Sequence, residues 1–117
     1  SITRGKSDFI LSLLDPLDNF QRFLDAAEKD EPQNGDSSLA AFFKGVKMIH
    51  RQILDVLAKE GVEPIEDPVG KVLDPYCHEA VLAQDGGGEH GTIVEEFQKG
   101  YTYRGKVVRP SKVKVIR

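Results

Sequence analysis

Three side chains of the kinds that hold zinc, Cys77, His78 and His90, lie near one another in the sequence. A structural zinc site takes about four such ligands at hairpin spacings, so the set is short. Ordinary loop and surface roles are expected for all three, with no metal and no cofactor. The run DGGGEHG at 85–91 has the glycines of a phosphate cradle, but no Lys-Ser or Lys-Thr follows it. It therefore lacks the groups that grip phosphates and magnesium in a P-loop. No Ser or Cys has an identifiable base beside it to make a nucleophile. Glu95 and Glu96 are adjacent on a candidate strand, so they point to opposite faces and do not pair as acid and base. These parts do not assemble into an enzyme.

The chemistry the chain does offer is electrostatic. Residues 98–117, QKGYTYRGKVVRPSKVKVIR, carry seven basic side chains (Lys99, Arg104, Lys106, Arg109, Lys112, Lys114, Arg117) and no carboxylate, within a chain of net charge -3. Residues 1–61 hold ten acidic against eight basic residues. Three readings fit the basic end. It is a solvated face whose lysines protect an edge strand. It is a nucleic-acid surface, with Tyr101 and Tyr103 stacking on bases while the cations hold phosphates. Or it is a docking surface for an acidic protein, the cations steering encounter.

Positioning this end falls to the preceding helices. At Ile10, Leu13, Leu17, Phe20, Leu24 and Ala27 the apolar spacing is three, four, three, four, three, which predicts a helix over 7–29 with a seam of 3.5-residue period. Pro16 removes the amide that would bond the carbonyl of Ser12, predicting a kink. KDEPQNGDSS at 29–38 predicts a polar turn, with Asp36 or a following Ser as cap. A second helix is expected over 39–60 on Phe42, Val46, Ile49, Ile53 and Val56, closed by Gly61. Two matched seams bury poorly alone, and pairing with a second copy would make a four-helix bundle. Gly45, inside the second helix, costs about 1 kcal/mol against Ala. Close helix packing, close approach of a partner's backbone, and mere tolerance all account for it.

A chain of 117 residues with 8% aromatics, no Trp and 30% charged residues has a modest core, so an oligomer is expected. The lone cysteine forms no internal disulfide, and no run of about 18 apolar residues spans a bilayer. No apolar signal core opens the sequence. A soluble, cytoplasmic protein without membrane contact is expected, an organelle matrix being the alternative. VEPIEDPVGK at 62–71 reads as a linker. After it come strands expected at 78–84 and 92–99 around a flexible turn at 85–91, a reversal at 100–106, and two short strands on Val107, Val108, Val113 and Val115. The fold class is α+β: a helical dimerisation region over 1–61, then a small antiparallel all-β domain over 62–117.

LDPYCHEAV at 73–81, followed by QKGYTYRGKVVRPSKVKV at 98–115, resembles the signature of the GrpE family, nucleotide exchange factors of DnaK-type chaperones. Leu73, Asp74, Pro75, His78 and Ala80 match its first half, and Gly100, Tyr101, Arg109, Ser111, Val113 and Val115 its second. LLDPLDNFQRFL at 13–24 and the run from Gly45 through LAKEGVEPI resemble the family's bundle helices. The resemblance implies a homodimeric co-chaperone that binds the ATPase domain of the chaperone, chiefly through one β domain, and opens its cleft so that ADP leaves. Adenine nucleotide is then touched only through the chaperone; the alternative function is a dimeric nucleic-acid-binding module that uses the basic C-terminal β region.

Residue by residue, the resemblance assigns chaperone contact to Lys106 and Val115 in the β domain, to Gly45 on the bundle, and to Asp25 at the end of the first bundle helix. The dimer seam falls on Ile10, Leu13, Leu17, Phe20, Leu24, Phe42, Val46, Ile49, Ile53 and Val56. Pro16 lies one position later than the family's usual proline, and the turn at 85–91 is richer in glycine. Only the residues ahead of Leu13 correspond to the family's long N-terminal coiled coil, so the temperature-sensing and substrate-mimicking roles of that region are not carried over.

Overall fold

The computed structural model describes residues 2–29 and 37–117, with the backbone alone at residue 3. Helix α1 is Ile2–Lys29 and α2 is Ser37–Lys59. Six strands follow: β1 Val62–Pro64, β2 His78–Gln84, β3 Ile93–Gln98, β4 Tyr101–Tyr103, β5 Lys106–Arg109 and β6 Ser111–Ile116. Helix α1 starts earlier than the seam predicts and runs through Pro16 as one element. Most of the polar turn expected at 29–38, with its Asp36 cap, lies outside the described residues. No described helix is long and apolar enough to cross a membrane.

The strands form two three-stranded sheets, ordered β1-β4-β5 and β2-β6-β3. The segment expected to be a linker contains a strand: β1 pairs antiparallel with β4, which itself occupies part of the expected reversal at 100–106. The second sheet is mixed rather than wholly antiparallel. β6 runs parallel to β2 and antiparallel to β3, lying between them. The turn at 85–91 therefore does not close a tight hairpin; it must span two inter-strand spacings, roughly 10 Å. Its glycines suit that path. Gly86, Gly87, Gly88 and Gly91 take positive φ, and the loop wraps the end of β6 through Gly91 N–H to Ile116 O at 2.8 Å and Arg117 N–H to Gln84 O at 2.8 Å.

The chain passes between the sheets three times, over residues 65–77, at residues 99–100 and at Pro110, and the last two crossings lie against each other. Gly100 N–H donates to Ser111 Oγ at 3.1 Å, Ile65 N–H to Gly100 O at 2.9 Å, and Arg109 Nε to Lys99 O at 2.8 Å. Pro110 suits a corner because it has no amide to leave unpaired. A side chain at Gly100 would meet the backbone nitrogen of Ser111, so the closeness of the crossing demands glycine there.

The core joins helix to sheet. Ile10, Leu14 and Leu17 of α1 pack with Val62, Tyr101 and Tyr103 of the first sheet, with Leu54, Leu57 and Val108 at the margin. Farther along α1, the Phe20 ring stacks on His50 of α2 at 4.9 Å between centroids. Within the single chain helix α2 turns His50 inward, with Phe43, Val46, Leu54 and Leu57 half-buried, while Phe42, Ile49, Ile53 and Val56 of its expected seam are exposed.

Candidate partner-binding site

At the tip of the β4–β5 hairpin, Arg104 (φ 48°) and Gly105 (φ 83°) both take left-handed backbone, the conformation that lets two strands reverse in two residues. The end of α2 holds this tip. Arg104 N–H donates to Gly61 O at 2.8 Å and Arg104 Nε reaches Glu60 O at 3.5 Å, a favourable place for a cation because the carbonyls of a helix C-terminus are partly negative. The arrangement leaves Lys106 exposed at the start of β5. It lines a cleft of about 230 Å³ with Ile2, Lys6, Ser7, Tyr103 and Arg104.

The other expected contacts lie elsewhere. Val115 is half-buried on β6, flanked by Ala83 and Ile93. Gly45 is exposed on α2, and a Cβ built there meets nothing within 4 Å; packing within the chain does not explain this glycine. Asp25 is exposed on α1 and accepts from Gln21 Nε2 at 2.9 Å. It borders a 240 Å³ cleft between α1 and β3 that Lys106, Val115 and Gly45 do not line. The expected seam also divides. Ile10, Leu17 and Leu24 are buried within the single chain, Leu13 and Phe20 half-buried, whereas on α2 only Val46 is half-buried among exposed Phe42, Ile49, Ile53 and Val56.

The basic end is less free than its composition suggests. Arg109 makes a two-pronged ion pair with Asp18 of α1, Nη1 to Oδ2 at 2.8 Å and Nη2 to Oδ1 at 2.6 Å, with both side chains largely buried. Lys114 pairs with Glu95 at 3.3 Å and Arg117 with Asp85 at 3.6 Å. Tyr101 and Tyr103 are 5% and 6% exposed, so their rings belong to the core and offer no stacking face to bases. Asp18 escaped the sequence reading. Its signal was there: it follows buried Leu14 by one turn, which places an acid on the inward face.

The first half of the signature builds a turn rather than a metal site. Asp74 Oδ1 accepts the Tyr76 amide at 3.0 Å, and Asp74 N–H donates to His78 Nδ1 at 3.0 Å. Burial, then the Asp74 carboxylate, pushes the Cys77 thiol up, away from thiolate chemistry. Among the described residues no three His, Cys, Asp or Glu side chains cluster to hold a metal.

Glu96 sits beside Ser111 at the sheet crossing. Burial raises its pKa above the ordinary 4.5, while the Ser111 hydroxyl, then Lys99, pull it back. Its Oε2 is buried with no hydrogen-bond partner among the described residues.

The family model described as GrpE matches residues 1–117. The chain is 46% identical over 107 residues to Protein GrpE of Geobacillus stearothermophilus, covering 91% of this chain and 45% of that protein. It is 48% identical over 104 residues to Protein GrpE of Geobacillus thermodenitrificans (88% and 44%). With Protein GrpE of Bacillus cereus it shares 42% over 107 residues (91% and 52%). The chain thus spans about half the length of these curated relatives. With its two helices, its α-plus-β order and a signature that forms the crossing between two sheets, the chain belongs to the GrpE family.

Proposed function

We propose that this chain acts as a nucleotide exchange factor, docking on the ATPase domain of a DnaK-type chaperone and accelerating ADP release. The observation that carries the reading is the family match across the whole chain, together with a β region whose exposed Lys106 follows directly on a hairpin tip bonded to the end of α2 through Arg104. No bond is made or broken. By linkage, a partner that prefers the open, ADP-poor conformer weakens ADP binding by the factor by which ADP weakens its own. A thousandfold effect needs about 4 kcal/mol of differential contact, within the reach of a few well-packed interface residues. Residues 62–117 form the docking domain, whose Lys106 and Val115 touch the chaperone together with Gly45 and Asp25 of the helices.

The protein works as a homodimer in this reading. Phe42, Ile49, Ile53 and Val56 make a row of exposed apolar side chains on α2, and a second copy laid along it completes a four-helix bundle. The nucleic-acid reading loses support, because Tyr101 and Tyr103 are in the core and Arg109 is paired. Release of a fluorescent ADP from a DnaK-type chaperone, followed by stopped flow with increasing amounts of the chain, tests the proposal. Acceleration that saturates supports it. Release at the intrinsic rate, with salt-sensitive retention on nucleic acid instead, would replace it with the other reading.

A further inference from the structure

Helix α1 meets the β region through two kinds of contact. The apolar one, Ile10, Leu14 and Leu17 against Val62, Tyr101 and Tyr103, is strong but non-directional. The polar one has direction. The Asp18 carboxylate takes both Nη atoms of Arg109 and also Gln98 Nε2 at 3.3 Å. Arg109 is the last residue of β5 and Gln98 the last of β3, so one carboxylate on the helix ties down the ends of two strands from which the chain passes to the other sheet. Arg109 is itself oriented by the Lys99 carbonyl and by the Tyr101 ring, 5.4 Å from its guanidinium carbon. A fork of this kind fixes an angle as well as a distance.

We propose that Asp18 is a positioning residue for nucleotide exchange: its clamp on Arg109 and Gln98 sets the angle between the helices and the β region, and that angle determines how far a docked partner is held open. The inference rests on the exchange-factor reading. Lys106 and Val115 lie on the two strands that meet at the clamped corner, β5 and β6, whereas Gly45 and Asp25 lie on the helices. A partner touching both groups feels their relative placement. With the clamp loosened, the β surface still binds, but contact energy no longer discriminates between the partner's open and closed forms, and a ligand without differential affinity shifts nothing.

The test compares the full chain with Asp18→Asn, which keeps the shape and loses the charge. Two readouts on a DnaK-type chaperone are separated: affinity, and the release rate of fluorescent ADP at saturation. A third readout needs no chaperone, the distance distribution between spin labels on Gln52→Cys of α2 and Lys112→Cys of β6 in a Cys77→Ser background, diluted with unlabelled chain. The expected result is affinity within about threefold of the parent, a saturated rate lower by about tenfold, equivalent to about 1.4 kcal/mol of lost discrimination, and a broadened distance distribution. An unchanged saturated rate with a narrow distribution overturns the inference. Equal losses of affinity and saturated rate with a narrow distribution also overturn it, because Asp18 would then be a direct contact or a structural support. Should Asp18→Asn not fold, Arg109→Lys, which keeps the charge and loses the fork, is read by the same criteria. If the parent chain itself leaves ADP release unaccelerated, the exchange-factor reading falls, while the label distances still decide whether the clamp sets the angle.

Discussion

Adding one methyl group at Gly100 tests how tightly the sheet crossings at residues 99–100 and at Pro110 are pressed together. A Cβ there meets the backbone nitrogen of Ser111 and stands 2.7 Å from the carbonyl carbon of Pro110 and 2.6 Å from Ile65 Cδ1. Two of these neighbours are backbone and cannot rotate away. Gly100 is not in left-handed backbone, so the obstacle is space rather than conformation. Relieving such overpacking costs about 1–3 kcal/mol. Moving the crossing also loosens the bonds from Gly100 N–H to Ser111 Oγ and from Ile65 N–H to Gly100 O, each worth about 0.5–1.5 kcal/mol net. The sum, about 2–6 kcal/mol, is a large part of the roughly 5–15 kcal/mol that holds a domain together. For a chain of this size it lowers Tm by about 10 °C or more. Thermal unfolding followed by circular dichroism, at one protein concentration because a dimer's Tm depends on it, measures the shift. Gly45→Ala is the matched control: nothing lies within 4 Å of the added methyl, and the helix gains up to about 1 kcal/mol. Gly100→Ala melting within 2–3 °C of the parent, a shift worth well under about 1 kcal/mol, would refute the steric reasoning.

Three further outcomes follow from charge and burial. Burial between the helices pushes His50 below its ordinary 6.5, so the folded state resists protonation; its contribution is present above about pH 6.5 and lost as pH falls below that. His50→Phe should flatten the loss of stability seen on acidification in urea titrations, and an unchanged pH slope would count against it. Glu96 has the reverse sense: with its pKa raised, the folded state binds the extra proton, and stability declines as pH rises from 4.5. Glu96→Gln should therefore be more stable than the parent at pH 7 and lose that advantage near pH 4, which denaturant midpoints at the two pH values will show. Lys106→Glu should slow stimulated ADP release by about tenfold at low salt, mainly through association, and leave sedimentation unchanged; normal exchange kinetics would remove Lys106 from the docking surface.

Local rules carried much of the fold. The seam of 3.5-residue period places both helices, because a helix repeats its face every few residues whatever lies opposite. Alternation and turn residues place β2, β3, β5 and β6 to within a residue or so. The docking candidates came from resemblance, and their exposure or burial came only with the structure.

What the linear pattern determined is which residues are apolar, roughly where both helices and four of the six strands lie, and that residues 98–117 are basic. Tertiary structure alone decided which side of each seam is covered, that β6 threads between β2 and β3, and that Arg109 is spent on Asp18, 91 residues away in the chain. The physical reason is separation. Periodicity is a property of neighbours along the chain, whereas strand order and ion-pair choice depend on the closure of long loops, and nothing local to Asp18 or Arg109 records that the other will arrive.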